Sequence, residues 1–351
     1  MILRARYFLL ALTVTLLASC FKEDEPVVLS APGEVQMSQV AMGPDYANQI
    51  YYKLSNKAEQ LSDHHCWDLA FETSPSGFHI WLNGGHLVFA ANTNSSNFNG
   101  ITDTLGAQWK WDASSWNKDS TAIGVWVNSN PDNPTPTKQG ANTASPGKIE
   151  QSELATGVYL IDLGNDLPYS DRFKKAVFES VNNYEYTFKY ANLDNSDLHT
   201  VTVQKESGFA YTYFSIRSGG VVVHPEPVKS EWDILFTRYH YVFYQAGNTI
   251  HYVVTGVLIN PTGYSVAVDS SKTFADVDYN FAKNLNYTTR RDAIGFDWKH
   301  INYQTSATYT VDENKIYLLK DNTGYYWKLH FIGFYNDQGI KGYPQFEYQR
   351  L

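Results

Sequence analysis

Disulfide chemistry is nearly absent from this sequence: among 351 residues only Cys20 and Cys66 carry a thiol, so a disulfide-stapled scaffold is excluded. Charged residues make up only 18%, and acidic ones outnumber basic ones 36 to 27. No basic stripe is available for a nucleic-acid backbone. The apolar run from Tyr7 to Leu17 is too short to span a membrane. Neither G-x-S-x-G, nor H-E-x-x-H, nor a glycine-rich phosphate loop occurs, and the chain is not expected to be an enzyme.

What is present is aromatic. Tyr 26, Phe 19 and Trp 9 give 15% aromatics, enough to fill two cores. Tyrosine, threonine and glycine dominate where Leu/Ala/Glu/Lys runs would mark helices, which points to a mostly β fold. The N-terminus is read as a targeting segment, residues 1–19, with Arg4 and Arg6 as its basic start. Leu17-Ala18-Ser19-Cys20 resembles the bacterial lipobox, which predicts cleavage before Cys20 and its lipidation; an ordinary secretory signal with an incidental cysteine is the alternative. Several acyl chains on Cys20 would anchor the protein stably. The charged run Lys22-Glu23-Asp24-Glu25 resembles the signal that carries Bacteroidetes lipoproteins to the outer face of the outer membrane, although any solvated tether is charged. Residues 20–47 read as a lipidated tether and linker. Without Arg4 and Arg6 the mature chain has 25 basic against 36 acidic residues, net −11.

The remainder carries a long-period repeat. Glu231-Trp232-Asp233-Ile234-Leu235-Phe236 echoes Cys66-Trp67-Asp68-Leu69-Ala70-Phe71, 165 residues earlier. Tyr51-Tyr52-Lys53-Leu54 precedes the first and Tyr213-Phe214-Ser215-Ile216 the second. Ile123-Gly124-Val125-Trp126 is matched by Ile294-Gly295-Phe296-Asp297-Trp298, and Val158-Tyr159-Leu160-Ile161 by Ile316-Tyr317-Leu318-Leu319. Phe188-Lys189-Tyr190 and Phe346-Glu347-Tyr348 close the copies. A domain-sized period is too long for a solenoid or propeller. The expectation is two similar antiparallel β-sheet or sandwich modules in tandem with few short helices, over residues 48–205 and 206–351. Asp68 and Asp233, in equivalent places, are expected to bond a turn rather than act as an acid/base pair. Asn83-Gly84-Gly85 reads as a hairpin turn, 128–147 as an exposed loop, and Phe274–Leu285 as a short helix.

In the second module a resemblance becomes specific. Glu226-Pro227, Trp232-Asp233-Ile234-Leu235-Phe236-Thr237, Thr255-Gly256-Val257-Leu258, Ile294-Gly295 with Trp298-Lys299, and Tyr326-Trp327-Lys328-Leu329-His330-Phe331 to Tyr348 resemble the HmuY family of Bacteroidetes surface lipoproteins. The first module resembles it more loosely, and the duplication departs from the family's single-module pattern. The resemblance implies haem binding, hemophore-like capture at the cell surface, and delivery to an outer-membrane TonB-dependent transporter. The alternative is a surface interaction lipoprotein that kept the fold without haem ligation.

Axial ligation requires a neutral imidazole, with aromatic and apolar side chains against the porphyrin. The resemblance points to His300, after the Trp298 landmark, as a haem axial ligand; His251 and His240, in the hairpin after Phe236, are the other candidates. Tyr239, Tyr241, Tyr244 and Tyr303 are candidates to line the pocket. For each histidine, packing on tyrosine at the surface is the alternative. His330 alternates with core aromatics and reads as a strand residue. Asp63-His64-His65-Cys66 has metal-ligand types, but neighbours on a strand point to opposite faces, so no metal beyond haem iron is expected.

Overall fold

Aromatic and β-branched side chains alternate along strand after strand, and the architecture is mostly β. The structure, a computed structural model, describes residues 31–118, 121–124, 157–302 and 308–351. Cys20 with its flanking tether, Trp126, the 128–147 loop and Tyr303 lie outside the described residues. Residues 33–351 form one compact unit.

The strands are β1 (Gln36–Gln39), β2 (Asn48–Tyr52), β3 (Glu59–Asp63), β4 (Leu69–Glu72), β5 (Ile80–Leu82), β6 (Phe89–Asn92), β7 (Tyr159–Asp162), β8 (Phe173–Val181), β9 (Glu185–Asn192) and β10 (His199–Gln204). They continue as β11 (Tyr211–Ser215), β12 (Val221–Val223), β13 (Ile234–Gln245), β14 (Asn248–Ile259), β15 (Ser265–Asp269), β16 (Lys299–Asn302), β17 (Thr308–Val311), β18 (Ile316–Lys320), β19 (Tyr326–Tyr335) and β20 (Lys341–Arg350). Sheets ordered β10-β9-β8-β7-β6 and β12-β11-β4-β5 close over one core, which buries Leu69, Phe71, Ile161, Phe188 and Phe214. Sheets ordered β1-β20-β19-β18-β15 and β14-β13-β2-β3 close over another, which buries Ile50, Tyr52, Ile234, Phe236 and Phe331. β16 and β17 make a separate two-stranded ribbon. The outer faces of the two four-stranded sheets meet around Tyr51, Trp67, Tyr213 and Leu235, with the Arg291 guanidinium 3.6 Å over the Trp116 ring.

Strand pairing runs across the chain. β1 pairs with β20 and β2 with β13, while β10 pairs with β9 and β11 with β4. Residues 36–63 therefore complete the sandwich of β13–β20, and residues 199–223 that of β4–β9. Gln36–Gln39, expected as linker, is a paired strand because Val40 and Met42 just beyond it are buried in the second core.

Within each sandwich the same contacts recur. Leu69 and Ala70 face Phe214 and Tyr213, as Ile234 and Leu235 face Tyr52 and Tyr51. Asp68 accepts the backbone N–H groups of Ile216 and Arg217 at 2.7 and 2.9 Å and the Arg217 Nε at 2.6 Å. Asp233 accepts Leu54 N–H at 2.7 Å and Lys53 Nζ at 2.7 Å. Both aspartates tie a strand end, as their spacing suggests. Asn83 Nδ2 donates to the carbonyls of His64 and Trp67 at 2.9 and 2.8 Å; Asn260 Nδ2 donates to those of Lys229 and Trp232, both at 2.8 Å. Lys175 and Lys328 each reach two backbone carbonyls, of Ile101 and Leu193 and of Phe274 and Val277.

Two local expectations change. Asn83-Gly84-Gly85 does not turn a hairpin: β5 pairs with β4 and β6 with β7, in different sheets. Asn83 caps a 3-10 turn, Gly84–His86, that packs on β13. A Cβ on Gly84 would meet His240 Cβ at 2.9 Å, and one on Gly85 would meet the Arg238 carbonyl at 3.0 Å, so close approach explains the glycines. The helix expected over 274–285 resolves into a 3-10 turn at Phe274–Asp276 and one α turn at Tyr279–Ala282.

Candidate functional site

Histidines gather in three places. The first is the junction after β3. Asp63 Oδ1 accepts His65 N–H at 2.8 Å, a local turn that a short acidic side chain favours. The turn frees His64 and His65 from strand alternation, and their ring centroids lie 3.9 Å apart. His86, on the 3-10 turn, brings its ring 3.8 Å from His65 and 4.8 Å from His64. The expectation that His64 and His65 diverge is thereby corrected: the stretch is a turn, and one nitrogen from each of the three imidazoles lies within 4.8 Å of the others. His64 and His86 are buried and His65 is half-exposed. Burial, then the charges of His65 and Arg238, pushes His64 down to about 3; burial, then Arg217, pushes His86 down to about 2. Cys66 stands outside this set, its thiol pushed up to about 11 by burial.

The second place is the face of β13–β14 turned toward the first sandwich. His240 is buried, and its Nε2 lies 2.9 Å from His251 Nδ1 with the rings nearly parallel at 9°. Trp111 presents its edge to His251 at 4.4 Å, and Phe89 stands 5.6 Å from the same ring. Burial, then His251, holds His240 down to about 3. The two candidate ligands are thus bonded to each other, and no porphyrin plane fits between their nitrogens.

The third place is the ribbon. Lys299, at the start of β16, is buried and donates to the Thr255 carbonyl of β14, which fastens the ribbon to the hairpin. Burial pushes this lysine down to about 7. Alternation then turns His300 outward, exposed, opposite Thr310. Nearby, β13 and β14 run past their partner: each has 12 residues, while only Ile234–Phe236 pair with β2. The overhang bares aromatic and apolar surface, Phe243 at 39%, Tyr244 at 55%, Ile250 at 41% and Tyr252 at 56%. Tyr241, half-buried, sits edge-on to Phe243 and to Phe296, both at 4.9 Å.

Among the residues expected to line a pocket, Tyr241 and Tyr244 lie on this hairpin, Tyr303 is outside the described residues, and Tyr239 is not available. Tyr239 is 6% exposed and belongs to the core beneath, where burial drives its hydroxyl far above the usual tyrosine range. His240 and His251 share the opposite face from Tyr241 and Tyr252, because β13 and β14 alternate in register. Phe243, Tyr252 and Phe296 were not picked out from the sequence, although the odd-numbered aromatics of β13 carry the signal. His330 is a strand residue as expected, stacked on Phe274 at 4.3 Å.

Chemically, the ribbon offers an exposed imidazole, the hairpin tip offers aromatic and apolar surface, and the three-histidine junction brings one nitrogen from each ring within 4.8 Å of the others. No curated relative matches the chain. Among solved structures, it is similar to apo PinO from Porphyromonas gingivitis, at 10% identity over 91% of this chain and 97% of that one, with a TM-score of 0.27. An apo HmuY analog from Tannerella forsythia aligns at 9% identity over 92% and 98%, with a TM-score of 0.24. An HmuY-like protein from Bacteroides vulgatus aligns at 17% identity over 52% and 93%, with a TM-score of 0.21. The family model for the HmuY protein matches residues 45–348, and the chain belongs to the HmuY family.

Proposed function

We propose that this protein is a lipoprotein, anchored through Cys20 at the outer-membrane surface, that binds haem and passes it to an outer-membrane TonB-dependent transporter. Family membership supports the ligand class, and two observations carry the reading: the aromatic overhang of β13–β14, and the exposed His300 on a ribbon that Lys299 ties to β14. A soluble protein seldom leaves aromatic side chains exposed on a paired hairpin without use for them. Tyr241, Phe243 and Tyr252 supply faces for a porphyrin, and His300 supplies an imidazole on a ribbon held by Lys299. His300 would be the residue that holds a bound haem, which would supply an iron able to take an imidazole nitrogen. His240 and His251 instead lock the hairpin onto Phe89 and Trp111.

We also read the chain as two copies of one module, with β1–β3 and β10–β12 in equivalent roles. On that reading the second copy holds the haem.

Titrating haem into the purified chain and following the Soret region tests the proposal. A saturable response at one equivalent is expected, with a weakened and spectrally altered complex in His300→Ala. A linear, non-saturating wild-type response rejects haem binding. A wild-type spectrum from His300→Ala rejects only the ligand.

A further inference from the structure

The junction of His64, His65 and His86 is not used by the haem reading, and the fold does not require it. Asn83 and Asn260 make the same clamp on the carbonyls of two residues three apart, yet the clamped position is His64 in one sandwich and Lys229 in the other. The residue three beyond the clamp is His86 in one and Gly263 in the other. The backbone device works without imidazoles, so the imidazoles serve something else.

Their hydrogen bonds show where the lone pairs point. His65 Nδ1 is 3.0 Å from Asp63 Oδ1, which can only accept, so His65 donates there and Nε2 is bare. His86 Nε2 is 3.0 Å from the His64 carbonyl and 3.1 Å from His64 Nδ1, so His86 donates at Nε2, its Nδ1 is bare, and an ion that takes His64 Nδ1 displaces this contact between the rings. The bare His65 Nε2 lies 3.9 Å from Asp166 Oδ2, and the bare His86 Nδ1 lies 3.8 Å from the same oxygen. His65 Nε2, His86 Nδ1 and Asp166 Oδ2 face one another, and Asp166 Oδ2 also accepts Arg217 Nη1 at 2.8 Å. Donors about 2 Å from one tetrahedral ion stand about 3.3 Å apart, so these side chains share an ion after closing in by about half an ångström or more. The Asp63 carboxylate and the His64 carbonyl hold the ring tautomers from behind, as outer groups do around metal-bound histidines. Two guanidiniums border the place: Arg217 is neutralised by Asp68 at 2.6 Å and Asp166 at 2.8 Å, and Arg238 Nη1 stands 3.4 Å from His64 Nε2.

We propose that His64, His65 and His86, with the Asp166 carboxylate as fourth donor, bind one divalent transition-metal ion of the zinc and copper type. Three imidazoles and one carboxylate form a closed set, which suits a structural ion that pins the β3–β4 turn to the 3-10 turn. Half-exposed His65 and Asp166 leave a way in from solvent.

The test is calorimetric titration of the haem-free full chain with Zn(II), repeated with Cu(II). One ion per chain is expected for the wild type, with a raised thermal midpoint in its presence. His65→Ala, at a half-exposed position, should fold and bind about tenfold more weakly or worse. His86→Ala should lose saturable binding, and half-exposed His199→Ala, paired with Asp197, should match the wild type. Absence of a saturable equivalent in the wild type overturns the proposal, as does wild-type affinity in His65→Ala. If His86→Ala fails to fold, His65→Ala decides. Because haem is absent throughout, failure here leaves the haem reading standing, and failure of haem binding leaves this site standing.

Discussion

The strand following Trp67 and the strand following Trp232 begin alike and end differently. Both enter through a buried tryptophan and an aspartate that ties the neighbouring strand, and both close on a clamping asparagine. In the first sandwich the strands stop short, β4 at 4 residues and β5 at 3, and the turn beyond carries His86. In the second, β13 and β14 continue to 12 residues each and bare an aromatic tip. The shared part consists of residues whose hydrogen bonds are buried and must be answered. The divergent part lies past the last core residue, where packing no longer dictates the side chain. The comparison teaches where to look for function: beyond the point at which the two sandwiches stop agreeing.

The strongest way to break the comparison is to remove the aspartates. Asp68→Ala leaves Arg217, 8% exposed at its side chain, and two backbone N–H groups without their carboxylate; a loss of about 3 to 5 kcal/mol is expected. Asp233→Ala, whose partner Lys53 is 18% exposed, should cost less. Urea denaturation of both variants checks the order, and a larger loss for Asp233→Ala would contradict it.

The clamps come next. Asn83→Ala strips two buried carbonyls of a donor and Asn260→Ala one buried and one partly buried carbonyl, each at about 1 to 3 kcal/mol. Similar midpoints for the two variants are expected. A large effect at one position and none at the other would mean that the clamps are not equivalent.

Titration sharpens the contrast, since the halves respond to pH with opposite sign. Burial alone raises Asp112 to about 7 against two backbone N–H bonds, so its neutral form is favoured in the fold. Its contribution is fully present below the unfolded value near 3.8 and is lost as pH climbs to about 7. Lys299 is lowered from 10.5 to about 7 by burial, so the unfolded chain binds more protons between those values and stability rises with pH across that window. Asp112→Asn should flatten the acid-side slope of stability, and Lys299→Met the alkaline-side slope. Unchanged slopes in thermal melts from pH 4 to 10 would refute the assignment.

Much of this was legible in the sequence. Trp67 and Trp232, the paired aspartates, and Tyr190 with Tyr348 announce themselves because buried aromatic and carboxylate positions tolerate few alternatives. The pairing of β1 with β20 and β2 with β13, and of β10 with β9 and β11 with β4, was not legible, because strand pairing across the length of the chain leaves no local mark. His64 and His65 were misjudged for a different reason. Asp63 ends the strand by capping a turn, and the two-residue period was carried one step too far. The Gly84-Gly85 pair signals close packing on β13, which composition cannot distinguish from a hairpin turn. His300 was pointed to by the family resemblance and is exposed on an anchored ribbon, whereas His240 and His251 were chosen for their place in the hairpin after Phe236 and bond each other.

The central claim is that haem is held by the second sandwich at the β13–β14 overhang, with His300 as ligand. The most direct measurement is a side-by-side haem titration of the wild type, His300→Ala, Phe243→Ala/Tyr252→Ala and His64→Ala/His86→Ala, read at the Soret band. The account predicts saturation at one equivalent in the wild type, weaker binding in both second-sandwich variants, and unaltered binding when His64 and His86 are removed. Haem binding that survives the loss of His300, Phe243 and Tyr252 but disappears with His64 and His86 would contradict it.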